Sequence, residues 1–262
     1  MSQGTGKAVK AIKNMSFTLG AMAELTTSRS IFFDGCGLAL ATGTGSASEN
    51  WAFFPDGASL ADAKRVCAFF KDLGLPFIWP LFPDAAYGGI LESAGMPVRG
   101  ELLAMARTGY VNISPAFAKN LTFETNESDE KNKISDAWAE AAWVAFNSPP
   151  GAPDSFVKLA RGLCARDDII LLLARRGRVS VGTAMLALNG ESAGIYYFAT
   201  MPEERRTGVG KAILHEASRL AFERRCTLMT LQATPEGVPF YASQGFTPLF
   251  RLPIYSFSED VF

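Results

Sequence analysis

A chain of 262 residues, 48% hydrophobic and only 19% charged, can bury a substantial core; this argues against disorder and suits one large or two small domains. Its formal net charge of −1 gives no global pull towards nucleic acid or an acidic membrane, so neither is expected as a partner. Four scattered cysteines and one histidine cannot supply the clustered ligands of a structural zinc site; no metal is expected, and the thiols read as buried groups of a cytoplasmic protein.

At the N-terminus, Lys7, Lys10 and Lys13 precede MSFTLGAMA, where Ala21 and Ala23 stand in an A-x-A arrangement like a secretory cleavage site. Asn14, Ser16, Thr18 and Gly20 dilute that stretch, so it reads as a partly helical extension. SLADAKRVCAFFKDLGLPFIWPLFP reads as helix then strand, and Ile90 to Val98 as a short helix stopped by Gly95. A boundary is expected near Ser114 to Ala118. Beyond it, LTF (Leu121 to Phe123) is a short strand, and the very polar ETNESDEKNK (Glu124 to Lys133) a surface loop. Ser135 is placed to cap a helix DAWAEAAWVAF, whose Trp138, Ala142, Ala145 and Phe146 share one face; Pro149 and Pro150 stop it. A helix DSFVKLARGLCA follows. Three strands come next, beginning with IILLLA (Ile169 to Ala174), the longest aliphatic run and far short of the ~20 residues a membrane span needs. Arg176-Gly177 and Asn189-Gly190 mark their turns. After a glycine-containing segment, a helix runs to about Arg224, CTLMTLQA is a buried strand, GVPFYASQ a short helix ending at Gly245, and FTPLFRLPIYSF a closing strand.

The helix, strand, short helix and glycine stop of the first half repeat in the second, with Gly95 matching Gly245. That agreement in order favours two domains of similar fold over chance likeness.

The segment Arg205 to Lys211, RRTGVGK, lies between a strand ending near Thr200 and a helix beginning near Gly208 to Gly210. The first N–H groups of a helix lack internal partners and lie at the positive end of its dipole, so they suit an anion. Glycines let phosphate oxygens approach the backbone, and Arg205, Arg206 and Lys211 add charge at the rim. Glu203 and Glu204 are expected to face solvent. Alone, the segment equally fits a tight strand-to-helix turn with solvated charges. It is neither a P-loop nor a dinucleotide fingerprint.

Arg205-x-x-Gly208-x-Gly210, after a strand and Pro202 and opening a helix, together with YASQGF (Tyr241, Gly245, Phe246), resembles the GNAT superfamily of N-acetyltransferases. The resemblance covers about Leu121 to Phe257, and the first half resembles the degenerate partner domain of tandem members. It implies an α/β (α+β) fold of two GNAT-like domains, residues 1–116 degenerate and 117–262 catalytic, each a central mixed, mostly antiparallel sheet flanked by helices. It implies that Phe198, Ala199 and Thr200 bind the pantetheine arm of acetyl-CoA, with the Phe198 N–H polarising the thioester carbonyl. The diphosphate would lie on Arg205, Arg206, Thr207, Gly208, Val209, Gly210 and Lys211. Thr234, seven residues before Tyr241, matches a position where asparagine often contacts the coenzyme. Tyr241 is the implied general acid, the alternative being a core tyrosine. The positions where members carry a glutamate base are Gly194 and Met229 here, leaving a water chain, Tyr196 or Tyr197 to serve the amine. His215 reads as a solvated helix residue. Leu91 sits four residues before Gly95, as Tyr241 does before Gly245, and the run before the first-half helix has one glycine and no arginine, so that domain should lack both acid and diphosphate seat. The expected activity is acetyl transfer to a primary amine of a small molecule, by a monomer or homodimer, with Trp143, Phe146 and the NSPPGAPD loop as candidate acceptor lining. The rival expectation is a non-catalytic acyl-CoA-binding sensor.

Overall fold

The computed structural model describes residues 3–25, 30–83, 85–110, 120–127, 131–146 and 149–261. The chain forms two compact units, one of Met1–Met105 with Gln232–Phe262, the other of Ala106–Leu231. This grouping differs from a division at 116/117, because the C-terminal segment clusters with the first unit. The expected boundary at Ser114 to Ala118 lies outside the described residues.

In the first unit, α1 (Gln3–Leu25) buries Ala11, Met15, Leu19 and Met22 along one stripe, with Asn14 and Thr18 beside them. The Thr18 hydroxyl donates to the Asn14 carbonyl, satisfying itself inside the helix. The expected extension is therefore a core helix, packed on the strands Leu38–Leu40 and Thr247–Tyr255 of its unit. Three short antiparallel strands follow, β1 (Ser30–Phe32), β2 (Leu38–Leu40) and β3 (Trp51–Phe53). Buried Asn50 joins the adjoining turns: its amide donates to the carbonyls of Thr44, Ser46 and Pro76, and its Oδ1 accepts from Thr42 N–H.

Next come α2 (Leu60–Leu73), β4 (Trp79–Pro80), α3 (Gly88–Ser93) and β5 (Val98–Thr108). Gly74 ends α2 at φ 66°, the left-handed cap that glycine adopts without cost. Phe70 stacks on Phe77 with ring centroids 4.1 Å apart, and Trp79, Tyr87 and Leu91 extend the same core. Near the C-terminus, α7 (Val238–Ser243) precedes β11 (Thr247–Tyr255), which pairs antiparallel with β4 and lies between β4 and β5.

The second unit holds β6 (Thr122–Thr125), α4 (Lys131–Ala145), α5 (Asp154–Cys164), β7 (Ile169–Arg176), β8 (Val179–Asn189), β9 (Ser192–Thr200), α6 (Val209–Glu223) and the first four residues of β10 (Leu228–Ala233). The strand order is β10-β9-β8-β7-β6, antiparallel except for the β10–β9 pair. Gly177 and Gly190 occupy the two hairpin turns at φ 62° and 59°, where the sequence placed them. Residues 181–187 of β8 are buried throughout, with α4 and α6 packed against the strand. α5 buries Phe156, Leu159, Ala160 and Leu163, an i, i+3, i+4, i+7 stripe.

Two local expectations are corrected. Ser135 lies inside α4, which starts at Lys131, and is buried rather than capping the helix. Within the polar stretch, Asn126 is a buried cross-link: its amide donates to the carbonyls of Cys164 and Ile169, and its Oδ1 accepts from Leu171 N–H. All four cysteines are free thiols. Cys164 and Cys226 are buried, but Cys36 is exposed, against expectation. Burial pushes the Cys226 thiol above its ordinary pKa, which makes it a poor nucleophile. Among the described residues no helix is long and apolar enough to cross a membrane.

Candidate active site

Three features of the second unit occur in succession along β9 and into α6. The first is a β-bulge. Thr183 faces Ala199 and Met185 faces Tyr196, so Ala184 alone stands opposite both Tyr197 and Phe198. Tyr197 takes φ 45°, a left-handed conformation that costs a non-glycine residue on the order of 1–3 kcal/mol. Several contacts hold it there. The Thr183 hydroxyl donates to the Tyr197 carbonyl at 2.9 Å, and Trp138 Nε1 donates to the Ala184 carbonyl at 3.0 Å. The Tyr197 ring packs edge-on against Trp138, Phe156 and Phe146, with centroids 5.4, 5.6 and 6.5 Å away. Regular alternation would have put Tyr196 and Tyr197 on opposite faces; the bulge breaks that alternation at this point.

The second feature is the end of a ladder. β10 pairs with β9 only at Ser192, Ala193 and Gly194, whereas β8 follows β9 as far as Thr200. Phe198, Ala199 and Thr200 therefore lie beyond the last β10 register pair. Gly182, opposite Thr200, allows a close approach: a Cβ there would fall 2.6 Å from the Ala199 carbonyl oxygen and 2.6 Å from Ile213 Cδ1. On the β9–β10 ladder Gly194 faces Thr230 and Met229 faces Ala193; both Gly194 and Met229 are buried, and neither can accept a proton.

The third feature is the turn into α6. After a 3₁₀ turn at Pro202–Glu204, Arg206 takes φ 63° and Gly208 takes φ 94°. Successive backbone N–H groups in such a turn can form an anion-binding concavity. Gly208 is the N-cap of α6 with no side-chain cap, and the first intrahelical bond runs from Ala212 N–H to the Gly208 carbonyl. Val209, Gly210 and Lys211 thus supply the helix's leading amides at the positive dipole end.

The charges are distributed differently from the expectation. Arg205 turns its guanidinium to backbone carbonyls, donating to Ala145 at 3.1 Å and Thr200 at 3.4 Å, which ties the loop to the last turn of α4. Arg206 is exposed. Glu204 does not simply face solvent: Arg176 grips its carboxylate at 3.1 and 2.9 Å. That contact, first among the causes, holds the Glu204 carboxyl below the usual carboxylate range. Arg176 lies outside the glycine motif, at the Arg176-Gly177 turn.

His215 is not a solvated helix residue, because the Tyr110 hydroxyl is hydrogen-bonded to its Nε2 and the two rings meet edge to face. On α4, Glu140 accepts from the N–H groups of Gly151 and Ala152 at 2.9 and 2.8 Å, pinning part of the NSPPGAPD loop. Trp143 packs against Phe156, and Phe146 is 54% exposed.

In the first unit, Tyr241 lies on α7 and is buried, with its ring against Phe240 and Phe246. Burial raises its pKa well above the ordinary phenol value, so the hydroxyl keeps its proton across the physiological range. The Thr234 carbonyl accepts the N–H groups of Gly237 and Val238 and starts that helix.

Residues 167–248 match the family model of the acetyltransferase (GNAT) domain. Over the whole chain the fold is similar to that of a GCN5-related N-acetyltransferase from Kribbella flavida, with TM-score 0.63, 20% identity, and 94% of this chain and 95% of that one covered. It is also similar to a tandem GNAT protein from the clavulanic acid biosynthesis pathway, with TM-score 0.52, 12% identity, and 95% and 94% coverage. A third similar structure, a GCN5-related N-acetyltransferase from Sphaerobacter thermophilus, gives TM-score 0.57 and 14% identity over 74% of this chain and 65% of that one. No curated protein matches the sequence.

Proposed function

We propose that this chain, a GNAT-fold protein with an acetyltransferase domain at residues 167–248, moves an acetyl group from acetyl-CoA to a primary amine of a small molecule in the cytoplasm. The observation that carries the reading is the succession of bulge, ladder end and uncapped helix start along one stretch of chain. On this reading the pantetheine arm pairs with Phe198, Ala199 and Thr200 like an added strand. The Phe198 N–H, at the bulge, polarises the thioester carbonyl. The diphosphate lies on the backbone from Arg206 to Lys211, with Thr234 as a further candidate coenzyme contact. Arg205 belongs to this segment as its anchor to α4, since its guanidinium already serves two carbonyls.

The amine nitrogen attacks the thioester carbon, the carbon–sulfur bond breaks, and the departing thiolate takes a proton from Tyr241. A phenol kept neutral by burial is in the form a general acid needs. The amine sheds its own proton without help from Gly194 or Met229. Tyr197 is packed among aromatic rings, so Tyr196 is left to orient the amine, and water carries the proton away. Phe146 and Trp143 offer the acceptor an aromatic, weakly charged wall, which favours a hydrophobic amine over a polycationic one.

The lack of a carboxylate at Gly194 and Met229 favours one rival, an acyl-CoA-binding sensor without turnover. Calorimetry with acetyl-CoA and an amine panel assayed by free-thiol release separate the two. The enzyme reading expects binding and acetylation of at least one amine, with turnover lost in Tyr241→Phe. Binding without acetylation of any amine would establish the sensor, and no binding at all would end both readings.

A further inference from the structure

Arg176, at the end of β7, is 28 residues from the loop it grips, and the contact is a two-point fork: Nε to Oε1 and Nη2 to Oε2 of Glu204. Glu204 passes the constraint on. Its carbonyl accepts the Thr207 hydroxyl at 2.6 Å and the Thr207 N–H at 3.4 Å, and its Oε2 lies 3.3 Å from the same hydroxyl. Thr207 sits between the two left-handed residues of the loop, Arg206 and Gly208. The conformation that presents the leading amides of α6 is therefore fixed from the β7–β8 turn, through one carboxylate, to the middle of the loop.

The contact has a second effect. Glu204 places a carboxylate in a loop whose proposed ligand is a dianionic diphosphate. Left alone, that charge would repel the ligand; held by a guanidinium, it is neutralised.

We infer that Arg176 is a positioning residue for the coenzyme's diphosphate, acting through Glu204 and Thr207 both to hold the loop and to cancel the one carboxylate bonded into it. This rests on the acetyl-CoA reading above. It adds a residue that touches neither coenzyme nor substrate and lies outside the glycine motif.

The test is calorimetry of acetyl-CoA with the full chain, alongside steady-state kinetics. Arg176→Gln should weaken acetyl-CoA binding on the order of fivefold, raising its KM more than it lowers kcat. Arg176→Lys should restore only part of the affinity, because an ammonium supplies the charge without the fork. The double change Arg176→Gln with Glu204→Gln should bind more tightly than Arg176→Gln alone, since no carboxylate then opposes the phosphates. A merely structural pair would leave the double variant no better than the single one, and that result overturns the inference. So does unchanged affinity in Arg176→Gln. If the unaltered chain binds no acetyl-CoA, the functional reading itself fails, and the inference fails with it before any variant is compared.

Discussion

The helices α2 and α6 open the same run of helix, strand and short helix, yet their first turns are closed in opposite ways. At α2 the chain caps itself: Ser59 Oγ accepts the Asp62 N–H at 3.1 Å, and Asp62 Oδ2 accepts the Ser59 N–H at 2.8 Å. The positive end of that helix already holds a carboxylate. At α6 the cap is Gly208, left-handed and without a side chain, and no acid stands in the first turn. The contrast continues downstream. Leu91 and Tyr241 hold equivalent places in α3 and α7: the Leu91 carbonyl accepts Met96 N–H, as the Tyr241 carbonyl accepts Phe246 N–H, and Gly95 and Gly245 follow at φ 78° and 82°. The backbones agree while the side chains differ, one aliphatic and one phenolic. The repeated architecture needs only the backbone bonds and the glycine stop, whereas the proposed chemistry asks for a helix end without a side-chain cap and for a phenol, and the second copy carries both.

The comparison breaks most visibly at Tyr241. Its replacement by phenylalanine removes the donor and preserves the packing, so kcat should fall about 100-fold or more while acetyl-CoA affinity changes little. Unaltered turnover would show that the phenol and Leu91 are equivalent core residues after all. Gly208→Val places a β-branched side chain at φ 94°, where it is strained and covers the leading amides. Acetyl-CoA binding should weaken about tenfold or more by calorimetry, and normal binding would remove the distinction between the two helix ends.

Gly182→Ala forces a Cβ within 2.6 Å of a β9 carbonyl. A denaturant midpoint shift worth about 1–3 kcal/mol is expected, as for overpacking. The smallest effect belongs to the closed end. Ser59→Ala should cost about 1 kcal/mol of stability and leave acetyl-CoA affinity unchanged. The Ser59 hydrogen bonds hold the Asp62 carboxyl below its usual value. That contribution is complete above the unfolded carboxylate pKa of ~3.9 and is lost as pH falls through the lower folded value. The stability gap between Ser59→Ala and the unaltered chain should accordingly stay flat from about pH 6 to 8 and close only in strong acid, which urea titrations at stepped pH will show.

Features set by neighbours in sequence were legible in the chain alone. Apolar spacing marked α4, the glycines at 177, 190 and 245 marked turns, and Gly208 with Gly210 marked a helix start suited to an anion, because periodicity and positive φ are properties of a few consecutive residues. The capping box at Ser59 carried an equally local signal and went unread. What depends on partners far along the chain was not legible. Nothing near Tyr197 announces a bulge, which exists because Ala184 faces two residues and Trp138, from a different helix, bonds the carbonyl opposite. Nothing near Arg205 announces that its guanidinium is used by Ala145, or near Glu204 that Arg176 neutralises it. The N-terminal stretch looked too polar for a core until Asn14 and Thr18 were seen buried within α1, the Thr18 hydroxyl bonded back to the Asn14 carbonyl. Sequence by itself thus determined the elements of the second half, their order and the conformation of their turns, through local sterics and hydrophobic period, while the strands within 30–53 and at Val98–Thr108 went beyond it. Tertiary structure decided which strand slips its register, which ladder stops short and which charge is cancelled, because each of these is a contact between residues that only folding brings within a few ångströms.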